Sequence, residues 1–238
     1  MTEDENAQLH PVKKIVIAID GPSASGKSTI AKALAKSLHY AYVDSGAMYR
    51  AVTLFFLENH IEIDNLEAVK NALSHISIRF IRNENGNNTL LNERNVESEI
   101  RQMRVSEYVS QVAAIAEVRK AMVKQQQEMG KDKGLVMDGR DIGTVVFPDA
   151  ELKIFVTSDV EQRARRRYEE LLKKGQSVTL GEVLENLRER DHIDSNRAIG
   201  PLRKAEDAFE IDNTRLSPEE QLSLAIKMVE TKIGEKVQ

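Results

Sequence analysis

Nine residues, Gly21-Pro22-Ser23-Ala24-Ser25-Gly26-Lys27-Ser28-Thr29, carry the plainest chemistry in this chain. The first eight fit G-x-x-x-x-G-K-[ST], and all nine stand between an apolar run and a helical stretch, which is the context the pattern requires. Consecutive backbone N–H groups in such a loop converge on phosphate oxygens, backed by the positive end of the helix. Lys27 then reaches the β- and γ-phosphates and the Ser28 hydroxyl ligates magnesium. Gly21 and Gly26 let the chain turn with no side chain in the anion's way. The competing reading is an ordinary strand-to-helix turn with chance glycines, and the flanking elements weigh against it.

The loop implies a triphosphate without saying where the phosphate goes. A guanine-reading switch needs N-K-x-D, which does not occur, and a motor needs adjacent acids, whereas "LVMDGRD" interposes an arginine. A small-molecule kinase needs a second anion site that holds an acceptor in line with the γ-phosphate. Candidates stand in "DSGAMYR" (Asp44, Ser45, Tyr49, Arg50) and "DGRD" (Asp138, Arg140, Asp141). Carboxylates mixed with arginines at strand ends are costly to desolvate unless they pair or meet a ligand. The bland alternatives are a helix cap with a surface ion pair, and a tight turn of solvated charges. Arg190, Asp194 and Arg197 are spaced for one helical face, as they would also be in a salt-bridged surface helix. "RARRR" (163–167) reads either as a solvated face or as a mobile cationic lid over ATP. The five histidines are scattered, with no metal-ligand spacing.

These residues need strands that end together. "KKIVIAI" (13–19) reads as a buried strand, and Ile30, Leu34 and Leu38 mark one face of the helix after the loop. "YAYV" and "GAMYRAVTLFFLEN" predict a second strand and helix. Further parallel strands are predicted at "GLVMD" (134–138), "ELKIFV" (151–156) and "AFEID" (208–212). The stretch 160–192 is charged and helical, interrupted at "KKGQS". "ISIRFIRNENGNNTLLNERNV" instead alternates around Asn85-Gly86, a hairpin signal, and suggests an inserted subdomain at 68–112. Ser217, Pro218 and Glu220 predict a capped final helix with a stripe of Leu222, Ile226, Val229 and Ile233. Ligands of parallel sheets gather at the carboxyl ends of strands, so both acidic clusters should face the phosphate loop.

The 238 residues are 41% hydrophobic and 30% charged, enough for a full α/β core. With a net charge of −4 and 5% aromatic residues, nothing marks a nucleic-acid platform. No cysteine is present, which removes disulfides and thiol-based metal sites. No apolar stretch approaches the ~20 residues of a membrane span, and the acidic start is unlike a secretory signal. The chain therefore reads as a cytoplasmic monomer with no nucleic-acid or membrane partner and a short N-terminal arm at 1–12.

Taken together, "IDGPSASGKST", "DSGAMYR", "SQVAA…VR", "DGRDIGTVVFPDA" and "RDHIDSNRAIGPL" resemble the bacterial cytidylate (CMP) kinase family, in family order from about residue 13 to 233. The resemblance implies a three-layer P-loop fold. A five-stranded parallel sheet flanked by helices would form the core (13–67 and 113–238), with an NMP-binding insert (68–112) and a helical lid (160–192). It implies transfer of the γ-phosphoryl group of ATP to CMP or dCMP with Mg²⁺. Arg50, Arg140 and Arg197 would hold the acceptor phosphate, and Asp194 with Arg190 would meet the ribose. Ser110, Arg119 and Asp141 would read cytosine, while Asp44, Ser45, Tyr49 and Asp138 would line the acceptor's side. Residues 21–29 with Arg163 and Arg167 would bind ATP, Ser28 the metal. Lys27, Arg140, Arg166 and Arg197 would stabilise the transferred group. A carboxylate suits cytosine's exocyclic amine, whereas uracil presents an oxygen there. A dry site of this kind discriminates by roughly 10⁴-fold.

Ser110 and Arg119 pose a geometric problem. At ~100° per residue they fall on opposite sides of a straight helix, yet "SEYVSQVAAIAEVRKAM" contains no proline or glycine. If both touch one base, the helix must break between Ala113 and Val118.

Overall fold

The computed structural model describes residues 14–83 and 86–234, with only the backbone of residues 82, 83, 86 and 87. The arm at 1–12, Lys13 and Asn85 of the expected turn lie outside the described residues. In chain order the elements are β1 (Val16–Asp20), α1 (Lys27–Ser37), β2 (Ala41–Asp44), α2 (Ser45–Glu58) and α3 (Leu66–Ser74). Then come β3 (Ile78–Asn83), β4 (Gly86–Leu91), β5 (Arg94–Asn95), α4 (Met103–Ala114) and α5 (Ala116–Met129). β6 (Leu135–Gly139), β7 (Leu152–Thr157), α6 (Val160–Lys173), α7 (Leu180–Asn196), β8 (Phe209–Asp212) and α8 (Pro218–Ile233) complete the order.

Five parallel strands form one sheet in the order β2-β6-β1-β7-β8. Successive strand residues point to opposite faces, and β1 shows what that does. Val16 and Ala18 join one apolar cluster with α2, α4 and α5, while Ile17 and Ile19 join another with α1 and α8. A strand covered on both faces must be apolar throughout, and every residue of β1, Asp20 included, is buried. Three of the five strands run one residue past their apolar run, to Asp20, Asp44 and Thr157, and β6 runs two, through Asp138 to Gly139, because a polar residue still pairs its backbone in the ladder. Lys14 and Ile15, expected within β1, precede it.

The hairpin is present, and β5 makes it a three-stranded antiparallel sheet. Its ladder ends with Gly86 facing Asn83, so Gly86 is a strand residue. Ile78, Leu91 and Val96 of this region belong to the same cluster as Val16 and Met48 of the core. α6 and α7 share a small cluster of Ala164, Leu171, Val183 and Leu187, with the expected interruption between them. α8 carries its capping box at Ser217 and Glu220. Its buried line is Gln221, Ala225 and Val229, while Leu222, Ile226 and Ile233 are only partly covered.

The helix break occurs where the two base-reading candidates demand it. Ile115 adopts φ −68°, ψ 126°, an extended conformation between α4 and α5. Its carbonyl accepts the Arg119 N–H at 3.0 Å as α5 begins.

Candidate active site

β1 delivers the phosphate loop, which is rigidified from three sides. A Cβ at Gly21 would overlap the Val156 carbonyl oxygen, and one at Gly26 (φ 91°) would overlap Asn213 Nδ2. Asn213 Nδ2 donates to the Ser25 carbonyl at 2.7 Å, and Arg163 Nη1 donates to the Ser23 carbonyl at 3.0 Å. Asp191 of α7 accepts from Arg163 at 2.6 Å and from the Ser23 N–H at 3.4 Å. Lys27 Nζ donates to the Pro22 carbonyl at 3.2 Å.

The sheet register sets Asp44 opposite Asp138, and Asp20 opposite Gly139. Asp44 caps α2 through the Ala47 N–H at 2.9 Å and pairs with Arg101 at 2.8 Å. Burial pushes its carboxyl up, but the Arg101 guanidinium prevails and holds it at about 2. Asp138 accepts from Ser28 Oγ and from the Tyr42 hydroxyl, each at 2.7 Å. Burial and the neighbouring Asp44 raise its pKa.

Between the loop and these strand ends lies a cleft of about 1440 Å³, larger than the ~300–1,000 Å³ of a pocket for one small ligand. Its walls carry a buried excess of cations. Burial and Arg140 push the Lys27 ammonium down to about 7. Burial and Arg140 likewise press Arg190 down to about 10, and burial with Arg190 lowers Arg50. Arg190 Nε has no hydrogen-bond partner among the described residues. Arg140 bridges the two sides, donating to Ser23 Oγ at 2.6 Å and to Asp194 at 2.8 Å. At the far end Arg119 pairs with Asp141, and Arg197 Nη2 approaches the same carboxylate at 3.4 Å. Burial raises the Asp141 pKa despite both guanidiniums.

Most sequence candidates line this cleft: Ser23, Ala24, Gly26, Lys27, Ser28 and Thr29 from the loop, and Asp44, Ser45, Tyr49 and Arg50 from the second motif. Ser110, Asp138, Arg140, Asp141, Arg166, Arg167, Arg190, Asp194 and Arg197 complete the set. Gly21, Pro22 and Ser25 shape the loop from behind, since none of them reaches the wall. Two of the candidate arginines are absent from the wall. Arg163 is turned onto Ser158, Ser23 and Asp191, bracing the loop without facing the cleft. Arg119, 1% exposed, pairs with Asp141 and lies over the Tyr49 ring, so it adjoins two residues of the wall without being part of it. Ser45 directs its hydroxyl to the Asp138 carbonyl at 2.7 Å. Arg197 lies just past α7, where its N–H still reaches the Ile193 carbonyl at 3.0 Å.

The profile of the cytidylate kinase family matches residues 17–231. The chain belongs to the cytidylate kinase family. Among its relatives, a cytidylate kinase of Bacteroides fragilis is 57% identical over 215 residues, 88% of this chain and 94% of that one. A cytidylate kinase of Flavobacterium psychrophilum is 53% identical, with 92% and 99% covered, and one of Parabacteroides distasonis 54%, with 94% and 100%. A solved shikimate kinase of Acinetobacter baumannii shares 14% identity at a TM-score of 0.47, with 95% of this chain and 97% of that chain covered.

Within this family member, several site residues carried no signal in the sequence. Arg101 lies just before α4, 57 residues from the Asp44 it pairs with, and Asp191 and Asn213 support the loop from 168 and 188 residues away. Only the fold brings such pairs together. Tyr42 stands on the apolar strand before Asp44, where its ring, not its hydroxyl, accounts for its place in the pattern.

Proposed function

We propose that this chain transfers the γ-phosphoryl group of ATP to CMP or dCMP, giving ADP and CDP or dCDP. One observation carries the reading beyond family membership. Buried cations crowd a cleft between a phosphate loop and a carboxylate–arginine pair, and their own carboxylates do not neutralise them all. Two phosphate-bearing ligands would supply the missing charge.

The loop's N–H groups and Lys27 bind the ATP phosphates, with Arg166 and Arg167 of α6 above them. Arg50, Arg140 and Arg197 bind the acceptor phosphate, each charge-assisted bond worth on the order of 1.5–3 kcal/mol. Asp194 and Arg190 meet the ribose. Ser110, Asp141 and Arg119, which pairs with Asp141, meet cytosine. An acceptor phosphate oxygen attacks the γ-phosphorus as the bond to the β-bridging oxygen breaks, with no covalent intermediate. Asp44 orients the acceptor side through Arg101 and does not act as a base.

A magnesium ion fits beside the loop. The Ser28 hydroxyl and the Asp138 carboxylate are hard oxygen donors already in contact, and together they would hold it. When bound it would neutralise charge across the β- and γ-oxygens. Among the described residues no helix is long and apolar enough to cross a membrane. We read the protein as a cytoplasmic monomer organised as core, NMP-binding insert and lid.

The test is ADP release from Mg-ATP with CMP, dCMP, UMP, AMP or shikimate offered separately beside a control without acceptor. Turnover that depends on CMP or dCMP, with UMP far behind, is expected. Equal ATP consumption in every tube would overturn the reading.

A further inference from the structure

Asp20 ends β1 one residue before the phosphate loop and is 5% exposed, yet its carboxylate turns away from that loop. Oδ1 accepts the Ile142 N–H at 2.8 Å and Oδ2 the Gly143 N–H at 2.7 Å. These amides directly follow Asp141, the residue assigned to the acceptor's base. Asp141 itself sits at φ −146°, ψ 28°, outside the regular regions. Its carbonyl accepts from Val145 and Val146 at 2.9 and 3.2 Å, closing a single wide turn. Two charge-assisted bonds to successive amides fix the plane and direction of a peptide segment.

We propose that Asp20 is a positioning residue for base selection: by gripping the Ile142 and Gly143 amides it aims the Asp141 carboxylate, and so joins the strand that carries the phosphate loop to the segment that reads the acceptor. The inference rests on the cytosine-reading role given to Asp141 above. The loop has supports of its own in Arg163 and Asn213, so the Asp20 carboxylate is free for this second task. The groups around it are Asp141 on the same turn, Lys27 on α1 and the Lys153 side chain of β7, which lies along Gly143. Burial drives the Asp20 carboxyl up to about 7, with the two amides and Lys27 opposing the rise.

Asp20→Asn preserves shape and leaves one acceptor for two donors. Steady-state ADP release by the full chain, with CMP and with UMP at saturating ATP, reads the effect. The expected result is a KM for CMP raised about 10-fold, the scale of one charge-assisted bond. The CMP:UMP ratio of kcat/KM should fall with it, while the KM for ATP stays within about twofold. In an Asp141→Asn background the same change should add less than about twofold, because contacting residues that act through one another are not additive. Gly143→Ala is the second variant, keeping every charge. Its Cβ would lie 3.1 Å from Lys153 Cδ and 3.4 Å from Asp20 Oδ2, pressing on the same contact; a lowered CMP:UMP ratio is expected there too. An unchanged ratio in Asp20→Asn, losses equal for CMP, UMP and ATP, or effects that multiply with Asp141→Asn would overturn the inference alone. A wild-type enzyme indifferent between CMP and UMP would remove the base assignment and this inference together.

Discussion

Gly200→Ala is a one-methyl perturbation with a large expected effect. Gly200 has φ +57°, a conformation in which alanine costs ~1–2 kcal/mol. A Cβ there would overlap Asp141 Oδ2 and Arg119 Nη2, with Arg119 Cζ at 3.0 Å. Both groups are buried, Arg119 at 1% and Asp141 at 3% exposure, and Asp141 lies on the cleft wall, so the methyl pushes the carboxylate out of place. The Gly200 carbonyl also accepts from Arg197 Nε at 2.7 Å, so a shift of the backbone disturbs a second acceptor contact. Displacing the carboxylate removes one charge-assisted bond to the base, ~1.5–3 kcal/mol, or roughly a 10- to 150-fold loss in kcat/KM for CMP. UMP, which gains nothing from that carboxylate, should lose less, so the ratio between the two narrows while the KM for ATP holds. Coupled ADP-release kinetics with each acceptor measure all three quantities. A variant with wild-type kcat/KM for CMP and an intact CMP:UMP ratio would refute the reasoning, showing that the Asp141–Arg119 pair does not read the base.

Other expectations follow from the same geometry. Asp44→Asn keeps a good helix cap but loses the charge facing Arg101. The fall from 3.8 to about 2 corresponds to about 2 kcal/mol, present above pH 4 and lost as pH drops toward 2. Urea melts of wild type and variant should therefore differ at pH 7 and converge near pH 2. Ala116→Pro places proline at the first position of α5, after an extended Ile115, where it fits. Its melting temperature should be unchanged or raised by up to ~1 kcal/mol of stability, whereas a continuous helix would lose ~3 kcal/mol. Because the ionised Asp20 carboxylate accepts both amides and its pKa lies near 7, wild-type CMP:UMP selectivity should decline from pH 8 to pH 6. Asp20→Asn should show a flat profile over that range, and parallel profiles would count against the role.

The legible parts of this molecule were those written locally. The phosphate loop lies in one stretch with its strand and helix, and Asp44, Asp138 and Asp141 stand where apolar runs stop. The break at Ile115 was legible by a different route, since two residues on opposite helix sides could not share one base. What the sequence did not disclose depends on partners far along the chain. Arg163 looked like its neighbours Arg166 and Arg167 until Asp191 and the Ser23 carbonyl drew it behind the loop. Arg119 carries a charge suited to a ligand, and nothing local to it announces the Asp141 carboxylate with which it pairs. Asp20 passed as the first residue after a strand because nothing local distinguishes a carboxylate that binds amides 122 residues away.

The Asn213 side chain, 188 residues beyond the Ser25 carbonyl that it holds, bears on how the protein is made. A ribosome completes the phosphate-loop motif early and its support almost last. A nascent chain stopped before residue 213 would contain every letter of that motif, Arg50, Arg140 and Arg197, and both α6 and α7. It would also lack α8, which covers the face behind α1. Nucleotide capture should thus appear abruptly once Asn213 and α8 have been made, and truncations that remove them should abolish ATP binding although they remove no residue of the phosphate loop.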